Sequence, residues 1–295
     1  MYEGNGKKIA FLTDSSSDIP AELAEKYGID VIGFPINLEG KEYIERQDVT
    51  NEEFYELMRA AKGVPSTAAI TPIQFCEKYC QYVDEGYTDV IHVPINKSGS
   101  STYNNALMAQ GMLREERPEH HLKIHLLDPH TYSMVFGWYL CEVARKLKNG
   151  AEISHVIREF EKQMDCMEIV LGPYSLKQMK KSGRISAAAA VMGELMGIRP
   201  IITLIDGKTK VEAKVRGDDK VVPAMVELCK QRSEGVENFD YLSGHTNIPQ
   251  TADLEKACRK AFGKPPLLVF ELGGVVSANT GPDTVALVYT GHPRG

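Results

Sequence analysis

The strongest constraint on this chain is the alternation of hydrophobic period along its first half. Lys8–Thr13 reads as a buried strand and a polar run, Asp14–Asp18, follows it, with Pro20 opening a short helix. Asp30–Leu38 reads as the next strand, and Asn51–Ala61 and Thr71–Val83 as amphipathic helices, the second capped by Thr71 with Pro72 in its first turn. Asp89–Ile95, a helix from about Thr102, Lys123–Leu127 and a helix over Tyr132–Leu147 continue the series. Strand alternating with helix specifies a mostly parallel α/β sheet.

The second half changes character. Glu168–Leu171 is strand-like and precedes helical stretches at Leu176–Lys181 and Ala187–Met196. Pro200–Ile205 and Lys210–Val215 flank Asp206-Gly207, a favoured two-residue hairpin turn. Strands at Tyr241–Ser243, Leu267–Phe270 and Thr284–Tyr289 surround helices at Pro223–Arg232 and Thr251–Phe262. The expected architecture is therefore two α/β domains, 1–155 with a mostly parallel sheet and 156–295 with a mixed sheet containing antiparallel strands.

Charge and composition narrow the function. A net charge of −6 offers no basic excess for a phosphate backbone, so nucleic acid is not an expected partner. No stretch approaches the roughly 20 apolar residues of a membrane span, and no signal-like segment opens the chain. The expected address is the cytosol. Six scattered cysteines are expected as free thiols. Cys76 and Cys80 share a helix face, but no second ligand pair follows at zinc spacing; core packing is the default and no metal is expected.

Three polar loops carry the candidate chemistry: 13–18, containing Ser15; 65–71, containing Thr67; and 96–103, containing Ser100, Ser101 and Thr102. In a parallel sheet such loops gather at the carboxyl ends of the strands, where hydroxyls and free N–H groups suit an anionic head group. A helix cap is the commoner role for any one such loop; three in one half-chain argue for a site. Templates for a nucleophile elbow, a Walker loop, a dinucleotide fingerprint and a zinc-protease helix are absent, so no catalytic residue and no cofactor are expected. His120, His121, His125 and His130 read as a surface cluster.

In order, Thr13-Asp-Ser-Ser-Ser-Asp-Ile19, Pro65-x-Thr67, Ser100-x-Thr-Tyr103, Asp128 with Ser133 and Gly137, Ser182-Gly-Arg-Ile-Ser186, Arg199-Pro-Ile201, Arg216, His245 and Thr280-Gly-Pro282 resemble the DegV family of bacterial fatty-acid-binding proteins. The resemblance implies an acyl chain buried in the first domain with its head group near the domain interface. It also implies a separate kinase subunit to which the carboxylate is presented. Thr67 and Ser100 fall on the positions whose hydroxyls hold the carboxylate, and Arg216 on a position implicated in kinase contact. Arg184 falls in the Gly-Arg-Ile segment, with an expected structural or interface role. Three departures stand out: Ala68-Ala69-Ile70 where Ser-Gln-Pro is common, Ser101 where glycine is usual, and Asn279 where a histidine precedes Thr280-Gly-Pro. An amide at 279 still donates a hydrogen bond but carries no positive charge.

The expected function is thus a non-enzymatic carrier of one long-chain fatty acid, with Thr67, Ser100, Ser101, Thr102, Asn279, Thr280 and Ser15 around the head group. Met108, Met112, Met134, Met192 and Met196 are candidates for an adaptable tunnel lining. A second reading is an enzyme acting on a small anion at the same loops, with Asp14 or His245 as its base. A third is a sensor of acyl chains.

Overall fold

Capping chemistry starts two helices of the first lobe. In the computed structural model, which describes residues 3–4, 6–182, 197–205 and 207–294, Thr50 and Glu53 form a reciprocal capping box at α2 (Asn51–Ala60). Thr71 and Gln74 do the same at α3 (Pro72–Asp84), where Pro72 occupies the first turn. Both helices pack with α4 (Thr102–Glu116) on one face of a sheet formed by β2 (Lys7–Asp14), β3 (Ile29–Ile32), β7 (Asp89–Val93) and β8 (Lys123–Leu126). The order is β3-β2-β7-β8 and every one of these pairings is parallel; β1 (Glu3–Gly4) adds a short antiparallel pairing to β2.

The expected strand over 30–38 is instead two strands in different sheets. After β3 the chain turns at Gly33-Phe34, and β4 (Pro35–Leu38) joins a small antiparallel sheet between β5 (Lys41–Ile44) and β6 (Ser66–Thr67). The cause is a close backbone approach: a Cβ at Gly33 would sit 2.4 Å from the Glu45 carbonyl oxygen. That approach brings the Glu45 N–H onto the Phe34 carbonyl at 3.0 Å.

The other face of the parallel sheet is covered by α1 (Ala21–Tyr27), α5 (Met134–Lys148) and α6 (Ile153–Met164), the last not anticipated from the sequence. These helices are shared. Phe136, Leu140 and Phe160 belong to the same apolar cluster as Phe11 and Ile91 of the first sheet and Ile169, Leu171 and Val288 of the second. The second sheet has the order β11-β10-β9-β14-β12-β13, from β9 (Met167–Pro173), β10 (Ile198–Ile205), β11 (Lys208–Arg216), β12 (Tyr241–His245), β13 (Val269–Glu271) and β14 (Thr284–Thr290). Only β12 and β13 pair in parallel; the β10–β11 hairpin is present as the sequence indicates. Its far face is closed by α8 (Val221–Ser233) and α9 (Gln250–Phe262), following the short α7 (Lys177–Ser182). The result is two α/β units stacked on a common helical layer. The helix expected over 187–196 lies outside the described residues.

One late element returns to the first lobe. α10 (Gly274–Thr280) places Val275 and Ala278 in the core beneath α2 and α3, and Val276 in the shared layer. Polar ties reinforce the return. Tyr55 Oη donates to the Leu272 carbonyl at 2.5 Å, and Arg59 donates to Asp283 at 3.0 Å and to the Pro282 carbonyl at 2.9 Å.

Because Gly33 faces backbone and not a flexible side-chain end, Gly33→Ala is expected to cost about 1–3 kcal/mol. Chemical denaturation should show a lower midpoint with an unchanged slope.

Candidate functional site

The loops that begin α3 and α4 face α10 across a cavity of about 210 Å³. Its floor and walls are Thr67, Ala68 and Ala69 from the second polar loop and Ile95, Asn96, Gly99, Ser100 and Ser101 from the third, with Phe34 and Tyr132 beside them. Val275, Val276, Asn279 and Thr280 close it from α10, and Leu171, Gly207 and Thr209 from the second lobe. The hairpin reaches this far because Gly207, at a φ of +72°, carries no side chain; a Cβ there would collide with Ser98 Oγ and Asn96 Oδ1.

Five of the anticipated head-group residues therefore line one space: Thr67, Ser100, Ser101, Asn279 and Thr280. Their hydrogen bonds differ. Thr280 Oγ1 donates back to the Val276 carbonyl at 3.1 Å, and Asn279 Nδ2 to the Val275 carbonyl at 2.8 Å. Ser100 Oγ accepts from the Thr102 N–H at 3.2 Å and lies 2.9 Å from Thr102 Oγ1. If Thr102 supplies the proton of that hydroxyl pair, the Ser100 O–H is left to point at a ligand. Thr102 itself is fully buried and does not line the cavity; it orients Ser100. The N-terminus of the 15-residue α4 begins at the same loop, adding its positive dipole end.

Ser15 lies elsewhere. Its hydroxyl donates to Glu45 Oε2 and accepts from the Phe34 N–H at 3.0 Å, inside a buried carboxyl network that the sequence did not single out. In that network Glu45 Oε1 accepts from the Val275 N–H (3.1 Å), while Asp18 accepts from the Gly273 N–H (2.9 Å) and from Ser133 Oγ (2.5 Å). Asp14 accepts from the Ile95 N–H at 2.7 Å and from Ser16. All three carboxyls are pushed up by burial. Asp14 reaches about 6, Asp18 stands well above the ordinary carboxylate range, and Glu45 is raised. Repulsion between Glu45 and Asp18 adds to this, while the hydrogen bonds oppose it. Ser15, Asp18 and Glu45 of the network border a second cleft, lined also by Arg46, Asp48 and Glu271.

No described residue lining the 210 Å³ cavity is an Asp, Glu, His, Lys, Arg or Cys. Its one titratable group, the Tyr132 phenol, is raised by burial first and by Asp18 second, so it remains a neutral hydroxyl. Asp14 and His245, the two candidate bases, do not line it. His245 instead accepts from the Asn247 N–H at 3.1 Å, and burial lowers its imidazole. Of the methionines proposed for a tunnel lining, the three that are described do not line this cavity either. Met108 is 61% exposed, Met112 is half-buried against α3, and Met134 is in the shared helical layer. Hydrophobic character alone could not tell these three environments apart. Met192 and Met196 lie outside the described residues, as does Arg184. Arg216 is exposed at the end of the edge strand β11.

A family model described as "Uncharacterised protein, DegV family" matches residues 8–291. The chain belongs to the DegV family. A DegV domain-containing protein of Caldanaerobacter subterraneus subsp. tengcongensis is 28% identical over 286 residues, covering 96% of this chain and 99% of the relative. One from Clostridium perfringens is 28% identical over 284 residues, covering 95% and 98%. Among solved structures, a fatty acid binding DegV family protein from Streptococcus agalactiae superimposes with a TM-score of 0.84 at 27% identity, covering 98% of this chain and all of that one. A stearic acid-binding protein from Eubacterium ventriosum has the same fold, with a TM-score of 0.88 at 21% identity, covering 99% and 98%. The DegV fold is thus present end to end, with the polar cavity at the lobe interface.

The raised carboxyls give a signed pH dependence. A group whose folded pKa lies above its unfolded value contributes stability at low pH and loses it as pH rises through the folded pKa. For Asp14 this window runs from the ordinary 3.8 to about 6. Thermal midpoints of wild type and Asp14→Asn, measured across it, should converge or cross as pH rises. The wild type should lose on the order of 3 kcal/mol relative to the variant; a difference independent of pH would count against the assignment.

Proposed function

We propose that this chain is a cytosolic carrier of a single long-chain fatty acid, held with its carboxylate at Thr67 and Ser100–Ser101 and its acyl chain running into the first lobe. The observation that carries the proposal is the lining just described: hydroxyls and the side-chain amides of Asn96 and Asn279 around an otherwise apolar space, with no acid–base pair among the described residues. Such a wall can bind and orient a carboxylate but offers no group to transfer a proton at neutral pH. The fatty acid binding described for the Streptococcus agalactiae relative supports the same ligand class.

Magnitudes divide the labour. A dozen buried methylenes contribute about 10 kcal/mol before association costs, and each hydrogen bond to a charged carboxylate about 1.5–3 kcal/mol. The chain sets affinity and the hydroxyls set orientation. Asn279 fits this scheme as a neutral neighbour whose amide is already tied to α10, so the carboxylate relies on Thr67 and the α4 loop. At about 210 Å³ the cavity lies below the roughly 300 Å³ at which pockets for drug-sized ligands begin. It therefore serves as the head-group end. The acyl chain takes its room by parting the apolar packing behind Phe34 and Ile95, toward Ile36, Ile70 and Phe75. No cofactor is needed for this role.

Presentation to a kinase subunit is the finer part of the proposal. Arg216 sits at the opposite end of β11 from Thr209, about 24 Å along the strand, so a partner that engages Arg216 has to extend along β11 to reach the carboxylate. The competing reading, a small anion handled as substrate, is favoured only by the size of the cavity.

Mass spectrometry of lipid extracted from protein purified without delipidation should reveal one fatty acid per chain. The double variant Thr67→Ala, Ser100→Ala should stay folded and bind fatty acid at least about tenfold more weakly, with little change for the corresponding methyl ester. An empty wild type that also refuses added fatty acid would establish the small-anion reading instead.

A further inference from the structure

α3 and α4 lie side by side and run in the same direction. At their starts Asn105 Nδ2 donates to the Ile70 carbonyl (2.8 Å), and at their ends Arg117 meets Asp84 (3.3 Å). Between these ties, Cys76 and Cys80 are one turn apart on α3 and face Glu116, the last residue of α4. Their two sulfurs and one carboxylate oxygen all lie within 4.8 Å of one another. Cys80 Sγ is 3.6 Å from Glu116 Oε2. A tetrahedral zinc ion, with bonds of about 2.3 Å to sulfur and about 2.1 Å to oxygen, requires an S···O separation of about 3.6 Å and an S···S separation of about 3.8 Å. The first value is the one found. The second falls inside the observed envelope.

We propose that Cys76, Cys80 and Glu116 form a binding site for zinc, with the fourth position left to water or an external ligand. Two thiolates and one carboxylate make a soft, triply anionic donor set of the kind that selects zinc over magnesium or calcium. Access is one-sided. Both cysteines are buried in the core beneath α3, whereas Glu116 is exposed and gives an ion its route from solvent. Neither cysteine nor Glu116 lines the lipid cavity, so the site is independent of the carrier reading. The bound ion would fasten α3 to α4 away from the ends that carry the head-group loops.

The test is a cobalt(II) titration of the reduced, metal-free protein, followed by zinc. Wild type should develop a thiolate-to-cobalt charge-transfer band that saturates at one equivalent and disappears when zinc is added. Cys76→Ser and Cys80→Ser should abolish the band, and Cys166→Ser, far from the site, should leave it intact. Glu116→Gln, which changes an exposed side chain and spares the core, should weaken zinc at least about tenfold in competition with a chromophoric chelator. Circular dichroism should show all variants folded. The proposal is overturned by the absence of a band in wild type, by a band that persists in Cys76→Ser and Cys80→Ser, or by unchanged zinc affinity in Glu116→Gln.

Discussion

Two buried carboxyl groups hold the end of one short helix, and the site exists because they do. α10 has seven residues, too few to be stable on local hydrogen bonds alone. Its first amides would be orphaned in the interior without Asp18 and Glu45, which accept from Gly273 and Val275. Ser15 and Ser133 satisfy further lone pairs, so each acid is embedded in a set of donors and does not stand as a bare charge. Gly273 has no side chain because the two carboxylates occupy its place: a Cβ there would lie 2.6 Å from an oxygen of each. The polar loop after β2, which looked like a ligand loop, is thus the support for the helix that forms one wall of the cavity.

The shared helical layer gives that wall a rigid setting. Helices α5 and α6 bury apolar side chains against both sheets at once, so the lobes meet through core packing and not through a wet surface. The hairpin that brings Gly207 and Thr209 to the cavity therefore projects from a fixed frame, and the cavity wall is assembled from stretches of chain far apart in sequence. Neutral donors suit such a place. The described wall of the cavity carries no acid, and burial of Asp18 and Glu45 in their own network favours their protonated form.

The legible parts of the sequence were those whose cause is local. Thr50, Thr71 and Pro72 announce helix starts by chemistry acting over three residues, and the period of β2 and β7 reports their burial. The split of 30–38 was not legible, since it depends on Gly33 meeting the Glu45 backbone, a contact fixed by tertiary structure. α10 was missed for the same reason: Gly-Val-Val-Ser-Ala-Asn-Thr has no cap or period, and its anchors are more than two hundred residues away. Glu45, in the unremarkable run Tyr-Ile-Glu-Arg, carries no sign of its burial. The polar loops nominated Ser15, Thr67 and Ser100 alike, and family resemblance singled out the last two and added Asn279; Ser15 serves the carboxyl network.

The return of α10 has a consequence for synthesis. Asp18 waits 255 positions for its partner at Gly273, and translation at about 5–20 residues per second makes that a delay of many seconds. The parallel sheet and its first helices can collapse meanwhile, but the wall bearing Asn279 and Thr280 is still missing. A nascent chain on the ribosome accordingly has no closed cavity at the lobe interface until its translation is nearly finished.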